Sequence, residues 1–170
     1  KECIKRNLVG RKRHIIDTTD VAANVNYPSD KKLIRNAFAK VMKEVSKFNE
    51  QLAKEQLERF ESDIQREYEN NDKVSAKRHF EIAGERLEYL YLRTYEELQK
   101  NRKYQEAFGL CHDIVDQYLN SKKDKIVSVV DPDARIAHKS PGNIKRGYKD
   151  HIIVDEDSEI ILASVQTPFN

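Results

Sequence analysis

The sequence predicts an α+β fold in which short strands from the two ends of the chain share a sheet and a long helical block separates them. Three observations carry this reading. Between residues 30 and 125 apolar side chains recur at three- and four-residue steps, the period of an amphipathic helix. After Lys125 the pattern changes to β-branched runs punctuated by turn residues. Near the start, His14-Ile15-Ile16-Asp17 is a short β-branched run of the same kind, expected to be a buried strand.

The composition fits that architecture. The chain has 170 residues, enough for one domain with a real core and a smaller satellite. Charged residues make up 35% and apolar ones 38%, with only five glycines and four prolines, which favours a folded, helix-rich chain over a disordered one. Cys3 and Cys111 lie far apart with no CxxC pair, which points to a reducing compartment and argues against a zinc site or disulfide framework. No apolar run approaches the roughly 18 residues of a membrane span and no signal-peptide pattern is present, so no membrane partner is expected. Residue 1 is Lys and the last residues read like a strand end, so the chain is expected to be a piece of a longer protein.

The elements follow in order. Residues 24 to 30 (NVNYPSD) form a turn-rich exit from the first strand. Tyr27-Pro28 disfavours helix there, and Ser29 or Asp30 is a good N-cap. A first helix starts with Leu33, Ile34, Ala37, Phe38, Val41, Met42, Val45 and Phe48 and is expected to continue through Leu52, Leu57, Phe60, Ile64 and Tyr68. Asn70-Asn71-Asp72 ends it. A second helix carries Phe80, Ala83, Leu87, Leu90, Tyr91, Thr94 and Leu98; a third runs from Tyr104 to near Asn120. Three antiparallel helices would bury these stripes together, with Phe38, Val41, Phe80, Leu87, Phe108 and Ile114 expected in the core. Ile126 to Val130 reads as a strand, Asp131-Pro132-Asp133 as a turn, and Ala137 to Gly147 as a polar loop. Tyr148 to Val154 and Ile160 to Val165 form two β runs joined by an acidic hairpin turn at Asp155-Glu156-Asp157-Ser158. The expected domains are therefore 1–29, 30–125 and 126–170.

Net charge is only +2, but it is unevenly spread. Residues 1 to 13 carry Lys1, Lys5, Arg6, Arg11, Lys12 and Arg13 against Glu2 alone. Arg135, Lys139, Lys145, Arg146 and Lys149 occur with no acid between them, whereas the helical block is nearly neutral. Basic segments flanking a neutral block suggest a phosphate-facing surface on the terminal portions. Solubilising bases on exposed loops are the plainer reading of such runs.

Several short motifs occur in a fixed order: Asp17-Thr18-Thr19, then Ala23-Asn24-Val25-Asn26-Tyr27-Pro28-Ser29-Asp30, then Asp131-Pro132-Asp133-Ala134-Arg135, then Gly147-Tyr148-Lys149-Asp150-His151, then Thr167-Pro168-Phe169-Asn170. This ordered set resembles the DDE transposases of bacterial insertion sequences, which cut and join DNA with three carboxylates on an RNase H-like fold. The resemblance covers about residues 9–35 and 126–170, with a helical insertion between them. It implies a partial RNase H-like sheet, built of the first strand and the later hairpin. It also implies that Asp17 is the first catalytic carboxylate, ending its strand, with the second Asp and the Glu placed beyond the TPxN exit.

The chemistry accounts for an acid at that place. In-line phosphodiester cleavage uses metal ions to activate the attacking oxygen and stabilise the leaving one. Mg2+ or Mn2+ is the implied cofactor, a hard cation held by a few carboxylates and substrate phosphate. Asp17 is thus expected to be catalytic and a metal ligand, on a rigid strand end. Asp20, Asp131, Asp133 and Asp155 fall at loop or turn positions and are not expected to be ligands. Lys149 and His151 alternate on one strand and share a face, so Lys149 could contact phosphate and His151 could orient a carboxylate or donate to DNA. Arg135, Lys139, Lys145 and Arg146 would neutralise backbone phosphates without reading sequence. His14, His79, His112 and His138 show no metal-ligand spacing, and there is no Gly-rich phosphate loop or G-x-S-x-G elbow. The expected function is metal-dependent DNA strand cleavage and transfer in the full-length enzyme, these residues alone being inactive. DNA, both transposon ends and target, would be the partner, with a homodimer as the expected assembly and a bacterial cytoplasmic, nucleoid-associated location. The other reading is a non-catalytic helical interaction module or a decayed transposase remnant that binds DNA.

Overall fold

The computed structural model describes residues 13–22, 28–71, 73–122, 125–140 and 143–169, with residues 138–140 and 143 described by backbone alone. Strand β1 spans His14–Ala22. Helices α1 (Asp30–Val45), α2 (Glu50–Asn70), α3 (Ala76–Lys100) and α4 (Arg102–Leu119) follow, and then β2 (Arg135–Ser140), β3 (Asn143–Asp155) and β4 (Ile161–Pro168). The fold is α+β, and the chain divides into a helical unit, Val25–Pro132, and a sheet unit formed by Lys1–Asn24 with Asp133–Asn170. No helix among the described residues is long and apolar enough to cross a membrane.

Among the described residues the helical unit has four helices rather than the three expected. The apolar stripe that suggested one helix from Leu33 to Tyr68 is interrupted at Ser46–Asn49. There Asn49 leaves helical geometry and its side chain accepts the Leu52 amide at 3.0 Å, starting α2 afresh. A capping Asn satisfies an amide that the new helix cannot, so the chain turns although its hydrophobic period continues. Ser75 starts α3 in the same way by accepting from the Arg78 amide, and Asn101 starts α4 by accepting from the Tyr104 amide. Ser29 occupies the N-cap of α1 with extended backbone but no side-chain capping bond.

Leu33, Ile34, Ala37, Phe38, Val41 and Val45 give α1 a fully buried face, and α1 packs against each of the other three helices. The Phe38 and Phe60 rings stack with centroids 4.5 Å apart, and Phe80 stacks on Tyr118 at 4.3 Å. Of the six residues expected in the core, Phe38, Val41, Phe80, Leu87 and Ile114 are buried, while Phe108 is half-buried. Near its end α3 kinks at Thr94 (φ −130°, ψ 22°). The Thr94 hydroxyl donates to the Leu90 carbonyl at 2.7 Å and meets the Tyr104 hydroxyl at 2.8 Å, a side-chain competition for backbone that bends helices.

Ile126–Val130 is not a strand. Ile126, Val127 and Ser128 are buried as irregular chain, and Ile126 joins the helical core. The Ile126 amide donates to Gln117 Oε1, and Ser128 Oγ accepts from the Val130 and Asp131 amides. Ile126 thus enters the helical core with Val129 packed against it, while Val130 is 84% exposed.

In the sheet, β3 is central and every pairing is antiparallel. β1 lies along one edge of β3; the other edge takes β2 against the first part of β3 and β4 against the rest. The segment expected to be a polar loop is instead the hairpin β2–β3, with Ala137 opposite Lys145 and Arg135 opposite Gly147. Its basic composition hid the strands, although Pro141-Gly142, outside the described residues, is a turn signal in the sequence. Gly147 sits where β3 changes partner from β2 to β4, with φ 143°, a backbone region that favours glycine. The second hairpin falls where expected. Asp155 Oδ2 accepts from the Ser158 amide at 3.1 Å and from the Ser158 hydroxyl at 2.6 Å, which holds its turn.

The first strand was expected to be buried, yet Ile15 and Ile16 are 51% and 72% exposed although they point to opposite faces. Among the described residues of the sheet unit no helix covers either face, so β-branching here serves pleat and pairing without burial.

Candidate functional site

The register assigns each candidate residue to a face. Asp17 lies opposite Ile152, which lies opposite Ser164. Thr18 lies opposite His151, itself opposite Val165, and Asp20 lies opposite Lys149, itself opposite Thr167. Directly opposed residues share a face and successive residues alternate. One face therefore carries Asp17, Thr19, Asp150 and Ser164, and the other carries Thr18, Asp20, Lys149, His151 and Thr167. Lys149 and His151 do share a face, as expected, but Asp17 projects from the opposite one.

Asp17 is also not a strand end. β1 runs on to Ala22, and Asp17 is exposed at mid-strand, its Oδ1 accepting the Thr18 amide at 2.7 Å. Asp150 lies diagonally across on the same face, its carboxylate accepting the Ser164 hydroxyl at 2.6 Å. The implied Mg2+ or Mn2+ would need several oxygen ligands. Among the described residues no group of three or more His, Cys, Asp or Glu could hold a metal ion. Asp17 with Asp150 alone does not fit a two-metal centre.

On the other face the geometry is tighter. Thr18 Oγ1 lies 2.9 Å from His151 Nδ1, and His151 Nε2 lies 3.0 Å from Thr167 Oγ1. The imidazole thus bridges three strands, with both ring nitrogens occupied and neither left to donate to phosphate. A neutral ring donates from one nitrogen and accepts at the other, and each hydroxyl can take either complementary role. Thr18 and Thr167 were not singled out from the sequence, although both belong to its motifs.

The bases are distributed along the hairpin. Lys145 Nζ lies 2.8 Å from Asp20 Oδ2, an ion pair in which the Asp20 side chain is only 10% exposed. That pairing ties β3 to β1 and balances one of the charges expected to face phosphate. Arg146 is exposed on the opposite face from Lys145, Lys149 is half-buried, and half-buried Arg135 donates from Nη1 to the Ala134 carbonyl at 3.1 Å. Lys139 lies on β2, its side chain outside the described residues. Arg13 is exposed beside Glu156 at 3.9 Å, and the bases of residues 1–12, like Cys3, lie outside the described residues. Asp155 is fully buried in its turn, with His14 Nδ1 3.8 Å away.

No protein-family model matches the chain, and neither a curated protein nor a solved structure matches it.

Proposed function

We propose that the chain is part of a DDE-type DNA transposase catalytic domain, its sheet the beginning of an RNase H-like sheet. The observation that carries this is the convergence of motifs far apart in sequence. Thr18 of the D-T-T motif, His151 of GYKxH and Thr167 of TPxN meet through one imidazole. GYKxH and TPxN meet as neighbouring strands of one hairpin, so the support comes from Thr18 of D-T-T, which reaches His151 from 133 positions away. In this reading Asp17 is the first catalytic carboxylate and a ligand for Mg2+ or Mn2+, which would supply activation of the attacking oxygen. Arg146, on the face of Asp17, and Arg135 and Lys149, on the other, hold DNA through its phosphates together with Lys139 of β2, and Lys145 and His151 chiefly hold the strands together.

Amide chemical-shift mapping with a mixed-sequence DNA duplex tests the reading. The expected result is perturbation along β2 and β3 that fades as salt rises, because such contacts rest on counterion release. Perturbation confined to the helices would contradict it and favour a helical interaction module.

A further inference from the structure

Beside the core, α3 and α4 leave three less buried apolar residues next to one another, Tyr91 on α3 with Phe108 and Leu119 on α4. Between them runs an open groove of about 750 Å3. The buried core residues Leu87, Leu98 and Val115 form its floor, and Tyr91, Phe108 and Leu119 its apolar walls. Tyr91 is 43% exposed, with its ring centroid 6.3 Å from that of Phe108. Two glycines shape the trough. At Gly84 a Cβ would meet Val115 Cγ1 at 3.3 Å, so the missing side chain lets the helices approach. At Gly109 a Cβ would meet nothing within 4 Å, so the missing side chain leaves the trough open.

The rim carries Glu88, Asp116 and His112, and among the described residues neither Lys nor Arg lines the groove. Asp116 already accepts from Asn120 and Lys122, whereas Glu88 makes no hydrogen bond or ion pair among the described residues. Along α3 the lining runs from Gly84 to Leu98, about 21 Å at the helical rise.

We propose that this groove docks an amphipathic helix from a partner protein, its apolar stripe flanked by Lys or Arg. About four turns of such a helix would place anchors at i, i+3 or i+4, i+7 and i+11 along the trough, with a basic flank reaching Glu88. A small apolar ligand would leave most of so long an open surface in water. A second copy docked by the same face would bring Glu88 no basic partner, since among the described residues neither Lys nor Arg lines the groove.

The test uses the 170-residue chain and two fluorescein-labelled synthetic helices of the same leucine pattern, one with lysine flanks and one with glutamate flanks. The lysine peptide is expected to bind saturably, at least tenfold tighter than the glutamate peptide. Gly109→Leu should weaken it at least tenfold and Glu88→Lys several-fold. Gly109→Leu is expected to fold, because its Cβ enters open space and replacing a helical glycine favours the helix. Tyr91→Ser, at an exposed position, gives a second obstruction-free variant with the same expected loss. Equal binding to the parent and Gly109→Leu chains, or equal binding of both peptides, overturns the proposal. So does a dimer in sedimentation that Gly109→Leu abolishes, since the occupant is then a second copy.

Discussion

Thr18 Oγ1 and His151 Nδ1 lie 2.9 Å apart although the two residues are 133 positions apart in the chain. With Thr167 on the far side of the ring, this makes His151 a clamp across β1, β3 and β4. Two half-exposed hydrogen bonds contribute about 1 kcal/mol together. Thr18→Val keeps β propensity and removes one of them; His151→Phe removes both. Both variants should speed amide exchange in β1, with a non-additive double mutant and unchanged exchange in α1. Additive effects would show that the two side chains act separately.

His79 gives the helical unit a pH dependence. It is fully buried, its Nδ1 lies 3.0 Å from the Ser75 carbonyl, which it serves as donor, and Nε2 has no hydrogen-bond partner among the described residues. Burial first, with Lys31 and Arg35 nearby, pushes this imidazole below its ordinary range, against the opposing bond to Ser75. The unfolded chain takes up the proton near pH 6.5 while the folded one resists it. Stability is therefore present above that pH and lost as pH falls through it. Urea midpoints should fall more between pH 7.5 and 5.5 for the parent than for His79→Leu. Parallel losses would assign the effect to other groups.

Phe38 and Phe60 anchor the helical core, stacked and fully buried. Phe38→Ala should cost about 3–5 kcal/mol in chemical denaturation. Phe108→Ala, at the half-buried groove position, should cost less than half as much. Similar losses would place Phe108 in the core after all.

Much of this was legible from periodicity. The hairpin from Tyr148 to Val165 announced itself by alternating β-branched runs around an acidic turn, and the helical faces by their three- and four-residue steps. The break at Asn49 was hidden because the apolar period passes through it, and only the capping side chain reveals the turn. Ile126–Val130 misled because β-branched residues also occur in irregular chain, where Ile126 enters the helical core and Val130 stays exposed. The strand β2 was hidden by its charges, since a two-sided polar hairpin shows little hydrophobic alternation. For the site, residue types and motif order were readable, but the face of Asp17 depends on strand register, which the sequence does not state.

No DNA nicking is expected from these residues in Mg2+ or Mn2+. In-line attack with two ions needs more carboxylates than the exposed Asp17 and its diagonal neighbour Asp150. Supercoiled plasmid should stay supercoiled over hours. Robust nicking that Asp17→Ala abolishes would show a working centre.

The most direct test of the central claim is the salt dependence of duplex DNA binding, read by fluorescence anisotropy. The account predicts weak, sequence-independent binding that falls steeply with salt. Neutralising Lys139, Arg146 and Lys149 together should reduce the log–log slope by about 2–3, at roughly 0.9 for each phosphate no longer neutralised. Lys145→Gln should change the slope little, because its charge is balanced by Asp20. No binding at low salt, or a triple variant with the parent's affinity and slope, would contradict the assignment of this sheet to DNA.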